Sequence, residues 1–287
     1  PTSVPSGGTV NNVTGKTTHD KQFTLNDGTY NLSNDFILTL LDVPYSYIGK
    51  NVKIYSESGT SIVDLETEGK INVTLEQMKA AKRFSNDDTE NTQIYDKVKA
   101  YRELSPSKAV PSKAPSLYFV NRGKIELGRE VKFLTVTTHT DGDKRINVVE
   151  NTGTITGINT PGSSQQYGFY HSPDTSQQTS YVYVNSGTME FHAPESAGAV
   201  FSYRNQGLAG APDAVFVNEG DINIYGTKSM GIGFNTGGDP TTGTGGQGIR
   251  KGTKFIFKKP VKLFGDTTVG FYNMENNLTK ANESFST

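Results

Sequence analysis

The phrase Asn-x-Gly-x-apolar-x-apolar recurs along this chain at near-constant spacing, and no other feature limits its fold as strongly. The copies begin Asn121-Arg122-Gly123-Lys124-Ile125, Asn151-Thr152-Gly153-Thr154-Ile155, Asn185-Ser186-Gly187-Thr188-Met189 and Asn218-Glu219-Gly220-Asp221-Ile222. The second apolar place holds Leu127, Phe191 and Ile224, and slips once, to Gly157. The asparagines are 30, 34 and 33 residues apart. Weaker copies read Thr67-Glu68-Gly69-Lys70-Ile71-Asn72-Val73 upstream and Val261-Lys262-Leu263-Phe264-Gly265 downstream, the latter 39 residues beyond Ile222. A second landmark follows the later copies: Gly168-Phe169-Tyr170, Gly198-Ala199-Val200, Gly231-Ile232-Gly233 and Gly270-Phe271-Tyr272, at intervals of 30, 33 and 39. Two independent markers that drift together mark a structural repeat.

The repeat has a physical reading. Asn and Gly tolerate a left-handed backbone, so Asn-x-Gly is expected to be a tight corner. Alternating apolar residues after it describe a strand with one buried face. A unit of that length without helical periodicity cannot bury that face alone, whereas stacked copies form a continuous column. The expected fold is all-β: a right-handed parallel β-helix with about three short strands per coil and a small helical insertion around residues 74–105. Asparagines on successive corners could stack as a hydrogen-bonded ladder. Leucine-rich and ankyrin arrays have similar periods, but their signatures are missing. A β-sandwich is the alternative, and it needs no matched corners.

Residues 1–22 are expected to be a polar, disordered segment and 23–287 a single solenoid. Within it, Thr24 to Leu32 reads as strand, turn, strand around Asp27-Gly28, and Phe36 to Leu40 and Val52 to Tyr55 read as strands. Leu75 to Phe84 and Asn91 to Leu104 lack Gly and Pro and are rich in helix formers. Ile94, Val98, Tyr101 and Leu104 fall on one helical face. Thr74 and Gln77 have capping-box spacing, and Pro106, Pro111 and Pro115 mark the return. The segment 74–113 is therefore expected to be a helical hairpin projecting from the solenoid, either a recognition loop or a lid that braces the column. Residues 235–252 read as a Gly-rich surface loop, without the spacing of a phosphate-binding loop.

Composition narrows function by exclusion. Hydrophobic residues are 33% and charged residues 20%, with 31 glycines, which suits short strands and many turns. A net charge of −1 gives no basic face, so nucleic acid is not expected as a partner. Cysteine is absent, which fits a chain exported through an oxidising compartment. No run approaches the ~18 apolar residues of a membrane helix. The chain opens on Pro1, as a piece of a longer protein would.

The chemistry-bearing residues are scattered. His19, His139, His171 and His192 have no metal-ligand spacing. Asp141-Gly142-Asp143 resembles the start of a calcium loop, but its other ligands are missing. Glu126, Glu190 and Asn223 share a repeat position that reads as outward-facing. Tyr167, Tyr170, Tyr181 and Tyr183 exceed what a core needs, and some of them could form an adhesive or sugar-stacking patch. No catalytic, metal-binding or cofactor-binding residue, and no cofactor, is assigned.

Val217 to Gly226 followed by Ser229-Met230-Gly231-Ile232, with Val269-Gly270-Phe271-Tyr272-Asn273, resembles the passenger region of large Gram-negative type V autotransporters, and more narrowly the fusobacterial outer-membrane adhesins. The resemblance covers residues 118–276 well and the first 117 poorly. It implies a β-helix displayed at the cell surface, outside the outer membrane, with a C-terminal β-barrel anchoring the parent. It also implies binding to a host or bacterial surface receptor, protein or glycan, and it fixes no binding residue. The alternatives are a carbohydrate-active β-helix enzyme, needing paired carboxylates on one face, and a structural spacer.

Overall fold

The computed structural model describes residues 2–4, 9–10, 23–32, 38–59, 61–67, 73–105, 116–138, 145–172, 179–202, 214–235 and 253–273. Their strands form three all-parallel sheets, two of eight strands and one of seven, and successive strands visit the sheets in turn. The protein is a parallel β-helix. Sheet I runs Thr2–Val4, Phe23–Leu25, Tyr45–Ile48, Tyr118–Asn121, Arg145–Asn151, Thr179–Asn185, Val215–Asn218 and Lys254–Phe257. Sheet II runs Thr9–Val10, Gly28–Leu32, Val52–Ser58, Lys124–Arg129, Thr154–Gly157, Thr188–Phe191, Asp221–Ile224 and Val261–Leu263. Sheet III runs Leu38–Leu41, Ser61–Thr67, Lys132–Thr138, Tyr167–His171, Ala197–Ser202, Met230–Asn235 and Val269–Asn273.

Both landmarks sit in register. Asn121, Asn151, Asn185 and Asn218 align at the end of sheet I. Ile222 pairs with Val261, which bears out the offset of 39. The asparagine ladder forms: Nδ2 of Asn121 donates to Oδ1 of Asn151 at 2.9 Å, Asn151 to Asn185 at 2.9 Å, and Asn185 to Asn218 at 3.0 Å. All four are fully buried, so each bond satisfies groups that water cannot reach. Ile48 precedes the ladder and Phe257 follows it in the same register.

The corner chemistry differs from its sequence reading. None of these asparagines or the following glycines has positive φ. Gly is required there by close approach: a Cβ at Gly153 would lie 2.2 Å from the Gly123 carbonyl oxygen. The second landmark has the same cause, since a Cβ at Gly168 would lie 2.3 Å from the Gly198 oxygen. The upstream weak copy is also corrected. Thr67 closes a sheet III strand, 68–72 lie outside the described residues, and Ile48 is the equivalent of Asn121. Thr24 to Leu32 is strand, corner, strand, but its two strands belong to different sheets. Within the polar segment 1–22, Thr2–Val4 and Thr9–Val10 add to sheets I and II. The Gly-rich stretch beyond Asn235, the Asp141-Gly142-Asp143 motif, His19 and His139 lie outside the described residues.

The column interior is a continuous apolar cluster including Leu65, Phe119, Ile125, Phe169, Phe216 and Ile232. Each such side chain contributes about 1.5–3 kcal/mol by leaving water.

Two helices, α1 (Leu75–Ala80) and α2 (Asp88–Arg102), enter between sheets III and I. Thr74 and Gln77 form the expected capping box. The second helix starts earlier than its sequence reading because Asp87 caps it, accepting the Glu90 N–H at 2.7 Å. The hairpin does not project. Leu75, Met78, Ile94, Val98 and Tyr101 pack on the outward side chains of sheet I, among them Tyr118, Val148, Val184 and Val217. The strands explain why: Tyr181-Val182-Tyr183-Val184 and Val215-Phe216-Val217 are apolar on both faces, so sheet I must be covered on both.

Candidate functional site

Two outer faces concentrate chemistry, and they differ in access. Under the hairpin, Glu150 takes a place that Val120, Val184 and Val217 hold in neighbouring coils. It is 1% exposed. Its carboxylate accepts from the Tyr118 hydroxyl at 2.6 Å and the Ser186 hydroxyl at 2.7 Å, and Lys97 Nζ lies 2.8 Å away. Tyr101 of α2 donates to Glu219 at 2.8 Å, which Lys258 also meets at 2.7 Å. Burial first, then the neighbouring Glu150, pushes both the Tyr101 and the Tyr118 phenols up, so they remain donors. Burial alone would raise the Glu219 carboxyl, but the Lys258 and Tyr101 hydrogen bonds outweigh it and hold the carboxyl below its usual value. This network fastens the hairpin to the column. A polymer could reach Glu150 only if the helices lifted.

Sheet III is different. Its outward positions carry Lys132, Tyr167, Ala197, Met230 and Val269 in one register lane, and Thr135, Tyr170, Val200, Gly233 and Tyr272 in the next. Tyr167 and Tyr170 stack at 6.1 Å with their planes 9° apart, and Lys132 Nζ lies 4.4 Å over the Tyr170 ring. Burial, then Tyr170 and Glu195, pushes the Tyr167 phenol up to about 12, so it remains a neutral donor. Burial also lowers the Lys132 ammonium. Tyr272 is 49% exposed. A cavity of about 320 Å³ opens on this face, with Met230 and Val269 in its wall beside Tyr167 and Tyr272.

The rim of that cavity is unusual. Glu130, Gln165, Glu195, Lys228 and Thr267, each two residues before a sheet III strand, all have left-handed backbones, with φ between 52° and 57°. The equivalent place one coil earlier is Gly59, with φ of 144°. Glycine adopts this geometry freely, whereas an L-residue strains to do so. Five successive coils nonetheless put a polar side chain there. The backbones stack: the Gln165 N–H donates to the Pro194 carbonyl at 3.1 Å, Glu195 to Thr227 at 3.0 Å and Lys228 to Asp266 at 3.2 Å. Gln165, Glu195, Lys228 and Thr267 all line the cavity.

The four tyrosines singled out from sequence divide. Tyr181 and Tyr183 stack inside the column, 5.7 Å apart, while Tyr167 and Tyr170 face out. His171 is buried beside Tyr183, and His192 stacks on Tyr225 at 4.6 Å. Glu126 and Glu190 share an outward lane of sheet II with Thr156 between them, and each has a basic neighbour, Lys53 at 3.0 Å and His192 at 3.4 Å. The rim residues escaped sequence reading because none is Gly or Asn. Their one signal is position, two residues ahead of each Gly-apolar landmark strand. Among the described residues no group of three His, Asp or Glu could hold a metal ion, and no helix is long and apolar enough to cross a membrane. Comparison with protein-family models, curated proteins and solved structures finds no match.

Proposed function

We propose that this chain is a recognition segment of a cell-surface adhesin, displayed outside the outer membrane of a Gram-negative bacterium and anchored by a barrel elsewhere in its parent. It engages a receptor on other bacteria or on host cells, and it binds without turning its ligand over. One observation carries this reading: the sheet III face keeps five strained polar corners exposed on a rigid scaffold, beside a cavity that Tyr167 and Tyr272 help to line. Strained backbone persists where the surrounding structure over-determines it, and it concentrates at functional sites. Ligand sites likewise favour a largely preformed, mostly apolar cleft with a few placed polar groups. The hairpin supports the reading as well, because bracing sheet I stiffens the column that carries sheet III.

The test is direct. The full chain, labelled with a fluorophore, should bind a subset of bacterial and epithelial cells saturably and be displaced by unlabelled chain. Absence of saturable binding on every cell type would favour a spacer.

A further inference from the structure

We propose that the cavity on sheet III is a subsite for an extended, neutral oligosaccharide, laid along the solenoid axis from the Gln165 coil to the Thr267 coil. The inference rests on the adhesin reading and gives that reading a ligand. Three observations select this occupant. The rim offers an amide, a carboxylate, an ammonium and a hydroxyl in succession, at Gln165, Glu195, Lys228 and Thr267. Each can meet a sugar hydroxyl as donor or acceptor, and the single Glu and single Lys leave no net charge to select an ion. These groups repeat at the strand spacing, about 4.8 Å, close to the repeat of an extended β-linked sugar chain.

The wall opposite the rim supplies the apolar half of the contact. Tyr272, on the last described strand, is half exposed, and Tyr167 and Met230, both largely buried, line the same cavity. An aromatic ring with a polar tip accepts the C–H face of a sugar while its hydroxyl stays wet. A peptide fits less well. Extended peptides are usually captured on a free strand edge. Here the strands that carry Tyr167, Ala197 and Met230 are paired on both sides, and the last described strand, Val269–Asn273, has one open edge, where an added peptide strand would run parallel to the strands and so across the line of rim groups, not along it.

The experiment uses the whole chain on immobilised cellotetraose and chitotetraose, with tetragalacturonate as the anionic arm and cell binding measured on the same preparations. The expected result is retention on a neutral tetrasaccharide, changing by less than about twofold as salt is raised through the screening range. Tyr272→Ala and Glu195→Gln, both at exposed positions, should each weaken retention on the order of tenfold and leave the thermal melt unchanged. Retention confined to tetragalacturonate, or retention by both variants undiminished from the wild-type chain, would overturn the assignment. So would cell binding by the wild-type chain with no retention on either neutral sugar, an outcome that leaves the adhesin reading standing. Failure to bind either cells or sugars removes both.

Discussion

The outer faces of sheets I and III are built from the same coils, one strand each per turn, yet helices cover the first and a rim of exposed polar corners borders the second. Val148, Val184 and Val217 on sheet I are fully buried under two helices, whereas on sheet III Tyr167, Ala197, Val200 and Met230 are buried with no described helix over them, and Tyr272, on the last described strand, is 49% exposed. Sheet I carries its one outward carboxylate, Glu150, inside a closed set of donors. Sheet III leaves its rim of Gln165, Glu195 and Lys228 exposed, on backbones that glycine would adopt more easily. A stacked repeat fixes the interior of every coil, and each outer face is then free to serve stability or contact. Here the chain inserted about thirty residues to close one face, and that face is where sequence periodicity alone placed a projection.

The contrast breaks most clearly at Val98, which is 0% exposed in the hairpin contact. Val98→Asp buries a carboxylate among Val148 and Val184 and should cost more than about 4 kcal/mol. Tyr272→Asp on the open face should move stability by no more than about 0.5 kcal/mol. Urea unfolding of the two variants checks this, with dye binding to report exposed sheet I surface in the first. Equal costs would mean that the hairpin is not what stabilises sheet I.

A second effect lies behind sheet III. His171 is buried against Tyr181, Tyr183 and Phe201, and Nδ1 lies 2.7 Å from the Tyr183 hydroxyl. Burial lowers its pKa from 6.5 to about 3. Below pH 6.5 the unfolded chain takes up a proton that the folded chain refuses. Stability is therefore complete above that pH and declines as the solution is acidified, by about 1.4 kcal/mol per pH unit. The decline stops near pH 3, where the folded state also protonates. His171→Phe places in this coil the residue that Phe201 and Phe234 supply in the next two, and it should flatten the acid limb. Unfolding midpoints from pH 7 to pH 4 that are parallel in variant and wild type would remove burial of the imidazole as the cause.

These two regions also show what the sequence could and could not disclose. Asn121, Asn151, Asn185 and Asn218 announced the stack, because each buried amide in the ladder is satisfied by the next, which puts the same residue in four successive coils between Ile48 and Phe257. The reason first given for the motif, a left-handed corner, belongs instead to Glu130, Gln165, Glu195, Lys228 and Thr267, where four residue types at five positions conceal one shared conformation. The hairpin's helices were legible from Thr74, Gln77 and the face of Ile94 and Val98, but their docking was not. Its signal lay in another segment, the two-sided apolar strands of sheet I, such as Val215-Phe216-Val217. The open groove was half legible: the tyrosine excess was visible, but only register separates Tyr167 and Tyr170 from Tyr181 and Tyr183.

The smallest effect is the most discriminating, because its sign differs between the two faces. Glu195→Gly removes a side chain from a left-handed backbone, and relief of that strain exceeds the extra freedom gained by the unfolded chain. The variant should be more stable by roughly 0.5–1 kcal/mol. The side chain it loses accepts a long 3.4 Å hydrogen bond from exposed Gln165. On sheet I, trimming Val148 to Gly loses packing and can only destabilise. A melting temperature that rises for Glu195→Gly while ligand retention falls would show that the rim trades stability for contact. A fall in melting temperature would mean that the Glu195 side chain holds the corner together, and sheet III would then be braced by its rim as sheet I is by its helices.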